Sequence, residues 1–306
     1  MPVKTLKSKN LTWINIEKLD DEALEYLKTN YKFHHLDYED LTGEKQTPKI
    51  DVYKNYLFLI LHFPQWHVKG HTVATHEVDV FIGKDYVVTV QHSKSKEMKS
   101  MFYRCMQNRK IKTSWMENGP GHLLYKITDS LFRNTQPIID TLGKEINTLE
   151  NKIFEGEQDL HVVKQLAVHR RNVLHLRRII DPQRYLVGNL SNIRRPFLDE
   201  STSLYFDDVN DYLSKAWSIT ETYKDTINGL HITVESMINH RTNKVISALT
   251  VISVALLPLT LLSGIYGMNI INLPYAKNPI WVWAMFGGLF TFIIMVIWVM
   301  KRKKWL

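Results

Sequence analysis

The sequence predicts an α/β N-terminal cytoplasmic domain that is followed by a long helical stalk and two transmembrane helices. Three observations favour this fold class: two long uncharged runs near the C-terminal end, an apolar stripe at helical spacing that leads into the first run, and strand-like patterns in the N-terminal part. The chain has 306 residues, enough for one or two domains of soluble core besides the membrane part.

The two uncharged runs are long enough to cross a membrane. No charged residue occurs between Lys244 and Lys277, and none occurs from Asn278 to Met300. A bilayer core needs about 20 apolar helical residues at about 1.5 Å each. Residues 245–266 and 280–300 therefore predict two transmembrane helices. The alternative is a pair of buried helices in a soluble protein, which such long uncharged runs disfavour.

Basic residues give the orientation of the two spans. Arg241 and Lys244 precede the first span, and the basic tail 301–306 follows the second. Because cationic segments stay in the cytoplasm, both termini are expected there, and the loop 267–279 is expected outside. Met1–Asn10 is polar and lysine-rich and has no signal-peptide pattern. The expected location is the cell (inner) membrane, as a multi-pass protein.

The overall charge fits contact with a lipid bilayer. The net charge is +8, and much of the basic character lies next to the predicted spans. Anionic lipid headgroups explain it more simply than nucleic acid does, so no nucleic-acid partner is expected. The single cysteine, Cys105, excludes an intrachain disulfide framework.

Residues 1–120 predict the α/β domain, because apolar runs of strand length alternate there with helical patterns. The expected elements are helices over Asp20–Thr29, His34–Leu41 and Ser95–Arg109, a buried strand over Tyr56–Leu61 and a hairpin over Val78–Val90. Residues 121–200 predict a hairpin of two long helices. Gly156 separates the two, and the turn at Asp181-Pro182 follows the second.

Residues 201–244 predict a stalk helix that continues into the first span. An apolar stripe runs from Val209 to Ile238 at spacings of 3 and 4. A helix from about Tyr205 to Tyr266 is unstable alone and needs partners along this stripe. Parallel copies around a common axis are expected to supply them, and Pro258 is expected to be tolerated within the span.

One face of the first span consists mostly of polar or small residues. Its members recur at spacings of 3 and 4: Asn243, Ile246, Thr250, Ser253, Leu257, Thr260 and Gly264. Small and hydroxyl-bearing residues favour a seam between packed helices, and the same face could line a pore. Symmetric copies of this helix around an axis would satisfy both interpretations.

The predicted membrane part carries no carboxylate, because Glu235 is the last acidic residue. An ion would therefore meet neutral oxygens, from the amides of Asn243 and Asn269, the hydroxyls of Thr250 and Thr260, and the backbone. Mg²⁺ dehydrates reluctantly, and neutral acceptors can hydrogen-bond its bound water while holding the ion weakly. This chemistry suits a hydrated hard cation, and it also admits Co²⁺ and Ni²⁺.

Several motifs resemble the CorA family of divalent-cation transporters. They are Leu257-Pro258-Leu259-Thr260, Gly264 to Asn269 with its Gly-Met-Asn triplet, the terminal Lys-Trp-Leu, Tyr38-Glu39-Asp40-Leu41 and Tyr205–Val209. The resemblance implies a funnel-shaped homo-oligomer, a homopentamer, that transports Mg²⁺ and is not an enzyme. It also implies that Gly267, Met268 and Asn269 form the selectivity filter.

The same resemblance implies regulation by cytoplasmic Mg²⁺ at subunit interfaces. The matching carboxylates are Asp208, the Glu39-Asp40 pair and Asp129. Carboxylates that face each other repel unless a cation neutralises them, so loss of the ion would loosen the assembly.

The loop after the triplet departs from the family pattern, which has an acidic residue there. This loop has none and instead carries Lys277, so a ring of lysines would repel cations. A zinc transporter of the same superfamily therefore remains an alternative. A second alternative is a membrane-anchored interaction protein without transport. A metal-dependent enzyme is disfavoured, because its candidate ligands do not have the close spacing that metal ligands on one helix require. These candidates are His34, His35, His62, His67, His71 and His76.

Overall fold

The computed structural model describes residues 3–43, 46–93, 95–156, 160–198, 200–268 and 278–302. The chain divides into two compact units, the first ending at Leu230 and the second beginning at His231.

A six-stranded sheet lies at the centre of the first unit. Its strands are β1 (Val3–Ser8), β2 (Leu11–Ile16), β3 (Lys49–Val52), β4 (Tyr56–His67), β5 (Thr72–Gly83) and β6 (Tyr86–Gln91). The spatial order is β1-β2-β6-β5-β4-β3, and β2 and β6 are parallel whereas the other neighbours are antiparallel. The predicted strand and hairpin are confirmed. The hairpin of β1 and β2 was not predicted, because β1 is a polar, half-exposed edge strand.

Helices cover both faces of the sheet, which explains the continuous apolar run in β4. On one face, Phe58 and Phe81 pack with α1 (Asp21–Asn30) and α2 (His35–Thr42). Asp20 caps α1, since its side chain accepts a hydrogen bond from the Ala23 amide at 2.9 Å. Next along the chain come α3 (Lys96–Gln107) and α4 (Arg109–Met116), which meet at Asn108.

Residues 120–190 form three helices, so the prediction of two was wrong. They are α5 (Pro120–Arg133), α6 (Gln136–Phe154) and α7 (Leu160–Leu190). The first of the two predicted helices, which was expected to run to Gly156, is divided just before Pro137. This residue lacks an amide hydrogen and favours the first turn of a new helix. The expected turn at Pro182 was also wrong. The buried residues Leu186 and Leu190 continue the apolar face of α7, and their packing outweighs the cost of a proline, about 3 kcal/mol.

The predicted long helix is confirmed as α8 (Glu200–Tyr266), whose 67 residues extend over about 100 Å of helix, with Pro258 inside it. Part of its apolar stripe is covered within the protomer itself. Val209, Leu213 and Ala216 are buried within the single protomer. Tyr205 also stacks on Tyr125 of α5 at 4.7 Å. The protomer's own helices thus cover this part of the stripe, whereas Ile238 at its end is exposed.

The second unit contains two candidate membrane spans, the apolar end of α8 and α9 (Pro279–Arg302). Both spans are strongly apolar, and only 6% of the most apolar stretch of each is buried. Core helices of a soluble protein would be mostly buried. The soluble alternative is therefore disfavoured by exposure as well as by length.

Cys105 is expected to be unreactive in the native protein. It is fully buried, and burial raises the pKa of its thiol to about 11. The thiolate is the species that alkylates, so labelling near pH 7.5 should be at least about 100-fold slower than in unfolded chain. Mass spectrometry after timed iodoacetamide treatment measures this ratio. Equal rates in native and urea-unfolded protein would contradict the buried position.

Candidate ion pathway and metal sites

The predicted polar face of the first span is exposed within the protomer. All seven of its members are exposed: Asn243, Ile246, Thr250, Ser253, Leu257, Thr260 and Gly264. The side of α8 that meets α9 carries other residues, chiefly Val251, Ala255 and Pro258, which share a small cleft with Val296. Thr250 reaches the edge of this cleft. The face is therefore left for contacts outside the protomer, as either a seam or a pore would require.

Two hydroxyl groups on this face have fixed roles as donors. The Thr250 hydroxyl donates to the Ile246 carbonyl at 2.8 Å, and the Thr260 hydroxyl donates to the Leu256 carbonyl at 3.0 Å. Each hydroxyl hydrogen is therefore used within the helix. The oxygen lone pairs remain available as acceptors.

The predicted filter begins where α8 ends. The Gly267 amide donates to the Ser263 carbonyl at 2.9 Å, and the Met268 amide donates to the Ile265 carbonyl at 3.3 Å. A Cβ atom at Gly267 would lie 3.0 Å from the Ser263 carbonyl oxygen, so close approach favours glycine there. Asn269, the third filter residue, lies outside the described residues, as does Lys277.

The structure brings two of the four predicted regulatory carboxylates together. Arg133 donates from Nε to Asp129 Oδ1 at 2.6 Å and from Nη2 to Asp208 Oδ2 at 2.9 Å. Burial opposes the charge of Arg133, but the hydrogen bond to Asp129 and the two negative charges outweigh it and raise the pKa of the guanidinium. Within the protomer, the guanidinium of Arg133 thus bridges the carboxylates of Asp129 and Asp208. This bridge was not predicted from the sequence.

The other two predicted carboxylates lie on α2. Glu39 is exposed, and Asp40 accepts from Lys49 Nζ at 2.7 Å. The same ammonium lies 2.6 Å from Asp51. Asp40 and Asp208 thus pair with different basic residues, Lys49 and Arg133.

Replacing Arg133 with glutamine is expected to strengthen Mg²⁺ binding at Asp129 and Asp208. The guanidinium competes with a metal for these carboxylates, and exposed ion pairs contribute about 1 kcal/mol or less. The Mg²⁺ concentration that half-protects the protein from limited proteolysis should fall about fivefold. Arg104→Gln, on α3, is a control that should leave the value unchanged. A rise in the concentration would mean that Arg133 only maintains the fold.

A further cluster joins two histidines and two acidic residues on β4, β5 and the end of β6. Its members are His62, Glu77, Asp79 and His92, and Glu77, Asp79 and His92 have the arrangement of a possible metal site. Burial raises the pKa of Asp79 to about 6, although the hydrogen bond to His92 acts in the opposite direction. In the sequence, the histidines were tested only for the spacing that metal ligands have on a helix. The register between β4 and β5 instead places His62 beside Glu77.

The fold and the exposed spans define a membrane protein with an α/β domain, a long helix and two C-terminal spans. Its sequence matches the family of the CorA-like Mg²⁺ transporter protein over residues 8–302. The chain belongs to this family, as its motifs indicated. The family consists of transporters and not of enzymes, in agreement with the expectation from sequence.

Individual proteins agree with the family assignment. The cobalt/magnesium transport protein CorA of Thermotoga maritima is 28% identical over 302 residues, which cover 96% of this chain and 83% of the relative. The zinc transport protein ZntB of Yersinia pestis is 21% identical, covering 96% and 88%. The complete structure of the CorA magnesium transporter from Methanocaldococcus jannaschii superposes with a TM-score of 0.83 at 21% identity, covering 98% of this chain and 93% of that one. This likeness confirms the predicted fold class of an α/β domain, a long helix and two spans.

Proposed function

We propose that the protein transports hydrated divalent cations across the cell (inner) membrane, with Mg²⁺ as the main ion and Co²⁺ or Ni²⁺ as further ions. The observation that carries this proposal is the polar face of α8, which has no carboxylate and is exposed in the protomer. Parallel copies, five in the proposed homopentamer, would turn these faces towards one axis. Both termini would then lie in the cytoplasm, and the loop 267–279 outside.

The filter is assigned to Gly267, Met268 and Asn269, at the outer end of this face. Helix α8 ends at Tyr266, directly before the filter. The side-chain amide oxygen of Asn269 can accept hydrogen bonds from the water bound to the ion. Bound Mg²⁺ at Asp208, Asp129, Glu39 and Asp40 would stabilise the closed assembly. The ions thus serve as both cargo and regulators.

Zinc transport is the second candidate function. The ZntB relatives and the loop that lacks an acidic residue favour it. The third, a membrane-anchored interaction protein, predicts no ion flux at all.

Purified protein in lipid vesicles distinguishes the three functions. Initial uptake of Mg²⁺, Co²⁺, Ni²⁺ and Zn²⁺ should be measured with and without a proton gradient. Mg²⁺ uptake that needs no gradient supports the proposal, and uptake confined to Zn²⁺ supports the second function. If the uptake of every ion equals that of protein-free vesicles, only the third function, a membrane-anchored interaction protein, is supported.

Changing Lys277 to glutamate is expected to raise uptake about tenfold at low ionic strength. A ring of positive charges at the entrance lowers the local cation concentration, and a ring of negative charges raises it. The gain should shrink above about 0.15 M salt, where the Debye length is about 8 Å. Lys277→Arg keeps the charge and should match the parent protein. An equal gain in both variants would show that size and not charge limits entry.

A further inference from the structure

Strand pairing places His62, Glu77 and His92 in one row across the sheet. His62 is the register partner of Glu77 in the β4–β5 pair. Val78 pairs with Gln91 in the β5–β6 pair, so Glu77 lies beside His92, the residue after β6. Asp79 is two residues along β5 and points to the same face as Glu77. Three chain segments therefore deliver two imidazoles and two carboxylates to one place.

The distances within this row match those between ligands of one metal ion. His92 Nε2 lies 2.6 Å from Asp79 Oδ2 and 3.3 Å from Glu77 Oε1, and one ligand atom from each of these three residues lies within 4.8 Å of the others. Zn²⁺ binds nitrogen and oxygen at about 2.0–2.2 Å in a tetrahedron, so neighbouring ligand atoms are about 3.3–3.5 Å apart. Small side-chain shifts would bring the three groups to this geometry.

The two carboxylates of the cluster are buried, so their charge has to be paired. Glu77 is 4% exposed and Asp79 is 1% exposed. Among the described residues, the ion-pair partners of these two carboxylates are His62 and His92, and neither carboxylate has a lysine or arginine within 4.0 Å. In addition, Asp79 Oδ1 is buried and accepts no hydrogen bond from any described residue. Buried carboxylates are costly unless they are paired, and a divalent cation would compensate the charge of both carboxylates at once.

We propose that Glu77, Asp79 and His92 bind a divalent transition-metal ion, Zn²⁺, Co²⁺ or Ni²⁺, on the sheet of the N-terminal domain. Imidazole nitrogen together with carboxylate oxygen suits these ions, whereas Mg²⁺ prefers oxygen ligands alone. His62 Nε2 lies 3.1 Å from the second oxygen of Glu77 and orients that carboxylate. His92 is partly exposed, at 27% of its side chain, which gives the ion a route in from solvent.

This site is separate from the proposed transport pathway and from the carboxylates assigned to Mg²⁺ regulation. Its ligands lie on β5 and directly after β6, whereas Asp208 lies on α8 and Asp40 on α2. The two sites also differ in their ligand atoms. The carboxylates assigned to Mg²⁺ offer only oxygen, whereas the proposed site on the sheet also includes an imidazole nitrogen of His92.

Cobalt binding tests the proposal in the full-length protein in detergent. After treatment with a chelator, the protein should bind one Co²⁺ per chain with intense visible absorption, which is typical of low-coordinate cobalt. Zn²⁺ should displace this Co²⁺, and about a hundredfold excess of Mg²⁺ should not. Zinc-edge X-ray absorption of the unmodified protein should show imidazole scattering. Absence of a visible Co²⁺ spectrum, or of imidazole scattering, would overturn the proposal without any variant.

Substitutions then identify the ligands. His92→Gln should weaken Co²⁺ binding at least about a hundredfold, and His62→Gln about tenfold, as loss of an orienting group does. His67→Gln is the matched control, because His67 is an exposed residue on the same strand as His62. His92→Cys should keep the site and add a sulfur-to-cobalt charge-transfer band. Unchanged binding in His92→Gln, or a missing band in His92→Cys, would contradict the assignment.

The outcome is independent of the proposed transport function. An Asn269→Ala variant should bind Co²⁺ at the sheet as tightly as the parent protein, whatever its uptake rate. A failed flux assay therefore leaves the metal-site proposal intact, and a failed cobalt titration leaves the transport proposal intact.

Discussion

Vesicles that contain the Asn269→Ala variant are expected to take up Mg²⁺ about 10³-fold more slowly than vesicles with the parent protein. In the proposed homopentamer five amides contact the hydrated ion at one level. Each lost hydrogen bond costs about 1 kcal/mol, and five such losses amount to about 5 kcal/mol, which corresponds to a factor of roughly a few times 10³. The initial rate of uptake, measured with a fluorescent Mg²⁺ indicator inside the vesicles, gives this ratio.

Asn272→Ala is the matched control, because it removes the same amide from the same outer loop, three residues further on. Its uptake should equal that of the parent protein, and both variants should show the parent's elution volume on size exclusion. If Asn269→Ala transports normally, the filter assignment is lost. If both variants fail equally, the loop as a whole and not the Asn269 amide limits transport.

Replacing Asp208 with asparagine is expected to weaken the protection that Mg²⁺ gives the protein against proteolysis by a factor on the order of 10 to 100. Asp208 is well exposed, and its contact with Arg133 leaves one carboxylate oxygen for a metal. Affinity for hard cations depends on the number of charged ligands, so each lost carboxylate costs about this much. Limited proteolysis over a Mg²⁺ series measures the concentration that gives half protection.

Asp207→Asn is the control, since Asp207 is also exposed and adjacent on α8. The Arg133→Gln variant sharpens the test because its effect has the opposite sign. A regulatory metal site predicts weaker protection in Asp208→Asn and stronger protection in Arg133→Gln. An ion pair that only stabilises the fold predicts that both variants become more sensitive to protease at every Mg²⁺ concentration.

Hydrophobic pattern was sufficient to predict the elements that are long or buried on both faces. The uncharged runs predicted both candidate spans, and the stripe from Val209 predicted α8. The strand at Tyr56 and the turn at Gly83 followed from local chemistry. The break between α5 and α6 was missed because the apolar spacing is nearly continuous across it, and only Pro137 marks the new start.

The candidate sites were less accessible to sequence reasoning, because they depend on residues that are distant in the chain. Asp129 and Asp208 were named through the family resemblance, but the bridging Arg133 was not. The row of His62, Glu77 and His92 arises from strand register, which the sequence does not state. The alternation of apolar and polar residues predicted the strands, but the pairing of neighbouring strands determines which polar side chains lie next to each other.

The hydroxyl hydrogens of Thr250 and Thr260 point to their own helix, and this has a consequence for the sign of the permeant charge. Water bound to a cation presents both hydrogens outward, whereas water bound to an anion uses one hydrogen on the ion and has only one left to donate. In the proposed pathway these two rings of acceptor oxygens therefore hydrogen-bond more fully to the hydration shell of a cation. The two rings thus favour a hydrated cation over hydrated chloride without a fixed negative charge.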